Sequence, residues 1–305
     1  MINIGEIRDF SRRNGIHAIG WFAADDFSQY TETICNRIDY HEIDYRPLSV
    51  FINAGHIPEG IRTVIVLIMD YFVESSDQSG GCRLSNYARA CWSTLVPKME
   101  AVADFLKTNG CRSEILDIPH RAAACRAGLG FIGRNTMFYG HGLGSYVGIA
   151  SIGTNALLEE TGYWQERITH PLCDKCDRCI SACPAGAITP DGYQIEPLRC
   201  LSFVNRHPDE PLRIMPRKSE QLDKWLYGCE ACQNACPLNN EANHKHEAVV
   251  PSEISIEGMT IPNTAIVPES TIKFRQDLIT SPGYQEYIRK LIDKDSGQDS
   301  ALHNL

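Results

Sequence analysis

The chain is 305 residues long, with 29 Lys and Arg against 38 Asp and Glu, a formal net charge of −9 and a pI near 5.6. That length allows about two domains, and 43% hydrophobic with 22% charged residues is the composition of a folded protein and not of a disordered one. The longest apolar run, Val64 to Met69, is far too short to span a bilayer, and the acidic balance excludes nucleic-acid binding by bulk charge.

In chain order, Ile4 to Arg13 has a helical pattern and His17 to Ala23 is a short apolar strand. The opening MINIGEIRDFSRRNG lacks a charged region followed by an apolar one, and Ser11-Arg12-Arg13 reads as a helix end, not a twin-arginine signal. Arg62 to Phe72 is rich in β-branched residues, as a buried strand is. From Tyr87 to Thr108, Leu95, Met99, Val102, Phe105 and Leu106 recur at helical spacing until Asn109-Gly110 closes the helix. Glu114 to Ile118 reads as a strand, Pro119 leads into a short helix ending at Gly128, and Gly144 to Ile152 reads as a strand inside a sheet. Residues 1–165 thus form one α/β unit.

Residues 166–240 differ in kind, holding eight of the thirteen cysteines and eight of the sixteen prolines with little periodicity. Such a segment buries little core and depends on its ligands. With no export signal, the chain is expected in the reducing cytoplasm, where clustered cysteines are metal ligands before they are disulfides. Cys173, Cys176, Cys179 and Cys183-Pro184 follow the bacterial ferredoxin spacing, in which three thiolates wrap one cubane and the fourth reaches a neighbouring cluster. Cys229, Cys232 and Cys236-Pro237 form a second run one cysteine short, and Cys200 completes it. The crossover rule pairs Cys173, Cys176 and Cys179 with Cys236, and Cys183 with Cys200, Cys229 and Cys232. Paired C-x2-C runs also suit zinc, but the third x2-spaced cysteine and the two Cys-Pro endings favour two [4Fe–4S] clusters. The remaining five, Cys35, Cys82, Cys91, Cys111 and Cys125, lack metal spacing and read as small buried hydrophobes.

Gly128-Leu129-Gly130-Phe131-Ile132-Gly133 matches G-x-G-x-x-G, but a helix precedes it, no helix follows and no acid lies about 20 residues on, so it is not a dinucleotide site. Its glycines permit close backbone approach to something flat, with Arg134, Asn135 and Thr136 as donors, or they make a structural turn.

The stretch HRAAACRAGLGFIGRNTMF from His120, followed by Gly144-Ser145-Tyr146 and the double cysteine pattern, resembles epoxyqueuosine reductase. That family is cobalamin-dependent, carries two [4Fe–4S] clusters and is related to the reductive dehalogenases. The resemblance covers about residues 1–240 and is most specific over 120–145 and 173–237. It implies a fold of α/β (α+β) class, with a nitroreductase-like cobalamin-binding domain over 1–165, a ferredoxin-like domain over 166–240 and an extension over 241–305. The implied reaction is two-electron reduction of an epoxide on a modified tRNA base, giving queuosine and water. The implied partners are tRNA and, as electron donor, a reduced flavodoxin or ferredoxin.

Carried over position by position, Ala127, Gly128, Leu129, Gly130, Gly133, Arg134, Asn135, Thr136, Gly144 and Ser145 line the corrin pocket, and Asp117 is the proton donor. An acid set against an apolar face keeps its proton, as protonation of an alkoxide requires. The plainer role for Asp117 is to cap the next helix. Tyr87 and Tyr139 are reserve donors, since the dehalogenases use a tyrosine.

The chain departs from the family where RACWST follows Ala88, at Ala150-Ser151, at Tyr40-His41-Glu42, and in lacking the helical-repeat tail that helps to hold tRNA. The basic residues between Arg199 and Lys224 number six against four acids, a thin footprint for a polyanion. These features open three alternatives: a paralogue with another electrophilic substrate, an iron–sulfur activator that reduces a partner corrinoid protein, and an FMN reductase on the same scaffold.

Overall fold

The computed structural model describes residues 2–24, 57–72, 83–90, 94–158, 169–204 and 225–240. Cys35, Cys82 and Cys91, the Tyr40-His41-Glu42 stretch, the 165/166 boundary, most of the basic stretch and the extension over 241–305 lie outside the described residues.

Helix α1 (Ile4–Arg13) starts with a capping box: the Asn3 side chain accepts from the Glu6 amide at 3.1 Å and the Glu6 carboxylate from the Asn3 amide at 2.9 Å. Strands β1 (Ala18–Ala23) and β2 (Thr63–Asp70) follow, then β3 (Arg83–Leu84) and α2 (Asn86–Ala90). Helices α2 and α3 (Val96–Thr108) both fall within the helix expected over 87–108, and α3 begins where Pro97, lacking an amide hydrogen, is tolerated in a first turn. Next come β4 (Ser113–Ile115), α4 (His120–Arg126), β5 (Gly130–Ile132), β6 (Phe138–Gly140) and β7 (Val147–Thr154). The last strand starts three residues later than expected, because Gly144 takes φ +68° in the turn before it.

The sheet runs β1-β2-β7-β4 and every pairing in it is antiparallel, with Ile65 opposite both Trp21 and Ile152. All eight residues of β2 are buried, because both faces of the sheet are covered. Ile65, Leu67 and Met69 meet Ile7, Val102 and Leu106 of α1 and α3 on one face. Val64, Val66 and Ile68 meet Ala123, Ala124, Ala127 and Phe138 on the other. Phe10 and Phe105 stack at 4.1 Å to join the two outer helices. Among the described residues no helix is long and apolar enough to cross a membrane.

The cysteine-rich segment is a set of single turns: 3-10 turns at Cys173–Lys175 and Pro197–Arg199, then α5 (Arg178–Ala182), α6 (Leu201–Val204), α7 (Ala231–Asn234) and α8 (Pro237–Asn240). Its only strand among the described residues, β8 (Trp225–Tyr227), pairs in parallel with β3 of the first unit.

The glycine motif is a helix end followed by a hairpin. Gly128, at φ +71°, closes α4: its amide donates to the Cys125 carbonyl and the Leu129 amide to the Ala124 carbonyl. Strand β5 then pairs with β6 so closely that a Cβ on Gly130 would lie 1.9 Å from the Tyr139 carbonyl oxygen. Gly130→Ala is therefore expected to cost more than about 3 kcal/mol of stability. Gly128→Ala meets open space and pays only the left-handed penalty, about 1 kcal/mol. Thermal unfolding of the two variants side by side checks this order.

Candidate functional site

The local turns bring the eight cysteines into two sets. Cys173 opens a 3-10 turn, Cys179 lies in α5 and Cys183 just beyond it. Cys232 lies in α7, and Cys236 follows that helix, directly before Pro237 of α8. Cys173, Cys176, Cys179 and Cys236 act electrostatically on one another, as do Cys183, Cys200, Cys229 and Cys232. Cys179 also acts on Cys232, so the two sets touch each other. The sets adjoin, since Cys179, Cys183, Cys200 and Cys232 share a small core with Ala187 and Ile188.

Burial pushes the Cys179 thiol up to about 11 and the Cys229 thiol up to about 12, and raises Cys173, Cys200 and Cys232 as well. Metal uptake must therefore displace protons from these thiols. Among the described residues no three His, Cys, Asp or Glu side chains are placed to hold a single ion.

Buried polar contacts tie this segment to the sheet domain. The Ser145 amide donates to Asn239 Oδ1 at 2.7 Å, Asn239 Nδ2 donates to Ser145 Oγ at 2.9 Å, and Gln233 Nε2 donates to the Ser145 carbonyl at 3.0 Å. Tyr146 donates to Asn234 Oδ1, and the Glu230 carboxylate accepts from both the amide and the side chain of Asn86. On the other side Arg134 reaches the Cys176 carbonyl at 2.9 Å and the Pro190 carbonyl at 3.0 Å. Gly192 has no Cβ because one would meet Arg134 Nε at 2.5 Å.

These contacts change the expected roles of several pocket residues. The guanidinium of Arg134 is a strut to the first cysteine set, and the Ser145 hydroxyl is engaged with Asn239. Asn135 accepts from the Met137 amide and donates to the Tyr139 hydroxyl. Thr136 sits at φ 62°, a strained conformation for a β-branched residue, and its carbonyl accepts from Arg121. Gly130 and Gly133 make room for Tyr139. Ala127 is buried against Gly20, Leu129 is buried, and Gly144 bridges to Gly140. What faces outward is backbone at Gly128 and Gly142, both left-handed with open space where a Cβ would be.

Asp117 lies beyond the end of β4, in the loop before α4, and is exposed. It does not cap α4, which begins after Pro119 with no side-chain cap. Nor do this chain's described residues bury it, so an apolar face at Asp117 would have to come from a bound group. Its neighbour is His120, which sequence reasoning missed. Burial lowers the His120 pKa against the partial support of Asp117, and Nδ1 pairs with Ser151 Oγ at 3.0 Å. Tyr139 is 2% exposed and faces Cys236, so it cannot serve as a reserve donor to an outside substrate. Burial holds its phenol well above the ordinary range. Tyr87 is 37% exposed and packs edge-on to Tyr71.

Residues 172–239 match the model of the 4Fe-4S double cluster binding domain. More particularly, the chain is similar to the epoxyqueuosine reductases. It is 26% identical over 273 residues to epoxyqueuosine reductase of Bacillus subtilis, covering 81% of this chain and 66% of the relative, so it spans just under two thirds of that protein. A structure of the Bacillus subtilis enzyme, with its catalytic aspartate loop swung out of the active site, superposes with a TM-score of 0.61 at 25% identity, over 80% of this chain and 67% of that one. An epoxyqueuosine reductase bound to a tRNA-Tyr stem loop gives a TM-score of 0.63 at 24% identity, over 79% and 67%. A reductive dehalogenase described by B12-dependent dehalogenation shares the fold, with a TM-score of 0.52 at 13% identity, over 96% and 36%.

His120 has a pH signature. The folded chain holds it neutral where the unfolded chain takes up a proton near 6.5, so the stability present above that pH is lost as pH falls below it. In His120→Gln the loss of stability between pH 7.5 and 5.5 is expected to be smaller than in the wild type, read as a smaller drop in Tm across that range.

Proposed function

We propose that the chain is a cobalamin- and iron–sulfur-dependent reductase that removes the oxygen of an epoxide, either epoxyqueuosine in tRNA or another electrophilic substrate of the same class. The observation that carries this reading is the pair of four-cysteine sets held directly against the glycine hairpin. In balance, the epoxide takes up two electrons and two protons, its two C–O bonds break, and an alkene and water leave. A reduced flavodoxin or ferredoxin is the electron donor, and the clusters on Cys173, Cys176, Cys179 and Cys236 and on Cys183, Cys200, Cys229 and Cys232 conduct the electrons.

The residues fit a corrin as a wall and not as donors. Gly128 and Gly142 offer open backbone, while Arg134, Asn135 and Ser145 are engaged within the protein. When bound, cobalamin supplies a strong nucleophile toward an electrophilic carbon. Asp117, exposed on its loop, holds the proton that the departing oxygen takes, and the catalytic aspartate loop of the Bacillus subtilis enzyme supports that role. His120 lies beside Asp117, anchored to Ser151 on the sheet.

The engagement of Arg134, Asn135 and Ser145 also favours a second reading, an activator that reduces a corrinoid held by a partner protein. Anaerobic reconstitution with iron, sulfide and cobalamin separates the two. About eight irons with one cobalt per chain supports the reductase; about eight irons with no retained cobalt supports the activator. Asp117→Asn is expected to keep both cofactors and to lower turnover on the order of 100-fold or more, and unchanged turnover removes Asp117 from the chemistry.

A further inference from the structure

Asp117 is the one exposed residue in the run from Leu116 to Pro119. Its neighbours Leu116 and Ile118, 3% and 2% exposed, both enter the core on the α4 face of the sheet. The backbone on either side of it is tied to a single residue of β7. Strand β4 pairs with β7 as far as Ile115 opposite Ile152, and the Leu116 amide adds one more rung by donating to the Ser151 carbonyl at 2.9 Å. The chain then leaves the sheet, turns through Asp117, Ile118 and Pro119, and returns to the same residue: His120 Nδ1 and Ser151 Oγ share a hydrogen bond of 3.0 Å. Ser151 is fully buried, so water does not compete for its hydroxyl. Helix α4 steadies the far end, since the Ala123 amide donates to the Pro119 carbonyl at 2.9 Å, and the proline ring fixes its own φ at −62°.

We propose that His120 and Ser151 form a clasp that closes the loop 117–119 onto β7 and fixes where the Asp117 carboxyl stands. This rests on reading Asp117 as the proton donor. Two ties to one buried strand residue leave a three-residue loop little freedom. An acid must stand within hydrogen-bond reach of the atom it protonates, and a misplacement of about 1 Å can cost on the order of 100-fold in rate. His120 and Ser151 are positioning residues, acting through the backbone of the loop and not on the substrate.

The test uses the reconstituted holoenzyme as wild type, Ser151→Ala, His120→Phe, His120→Asn and Asp117→Asn. Ser151→Ala and His120→Phe break the hydrogen bond from opposite ends, while His120→Asn puts an amide group where Nδ1 stands. The readouts are hydrogen exchange of the peptide over residues 115–121, and kcat and KM on a tRNA stem loop carrying epoxyqueuosine. The expected result in both broken forms is faster exchange and a fall in kcat of roughly tenfold or more at unchanged KM, with both restored in His120→Asn. Unchanged exchange in the broken forms overturns the clasp. Faster exchange with unchanged kcat overturns the positioning role, and so does loss of iron in both broken forms, which makes the pair purely structural. A wild type that leaves the stem loop unreduced, or an Asp117→Asn that turns over normally, overturns the reading of Asp117 and the positioning role with it. Exchange needs no substrate, so it decides the clasp separately from that reading.

Discussion

The organisation of this molecule depends on a buried polar seam between a sheet that has its own core and a cysteine segment that has almost none. Ser145, at the entry to β7, meets Asn239 and Gln233 through four hydrogen bonds of 2.7–3.1 Å, and Arg134 holds the opposite side. Buried groups of this kind contribute modestly when paired and cost far more when one partner is removed, so the seam strongly favours one arrangement. Because both ends of the glycine hairpin touch the seam, the hairpin and the cysteine sets hold a common register.

This seam explains why the glycine motif misleads. A string of glycines before Arg, Asn and Thr has the composition of a phosphate or cofactor loop. In the fold, Gly130 and Gly133 admit Tyr139, Arg134 spans to the cysteine turns, and Gly128 ends a helix. The chemistry of the loop is directed inward, toward Cys236, more than outward.

The elements with strong local signals were legible. The buried β-branched run of β2, the capped α1 and the Asn109-Gly110 end of α3 each follow from near neighbours. The double-cluster character of the cysteine segment was legible too, because two closely spaced cysteine runs ending in Cys-Pro follow ferredoxin spacing. The seam was not. Asn239 and Ser145 are 94 residues apart, Asn86 and Glu230 are 144 apart, and each is an ordinary polar residue in its local context. His120 was hidden for the same reason, since it opens α4 and its partner Ser151 lies 31 residues on, in β7.

The crossover has a consequence for synthesis. On the proposed crossover pairing, each cysteine set takes ligands from both ends of the segment, with Cys236 completing the first and Cys232 the second. A ribosome that has released residues up to Val204 has delivered three ligands of the first set and two of the second, and neither can close. On that pairing both sets wait for the same last few residues, so five thiols are presented before either set is complete.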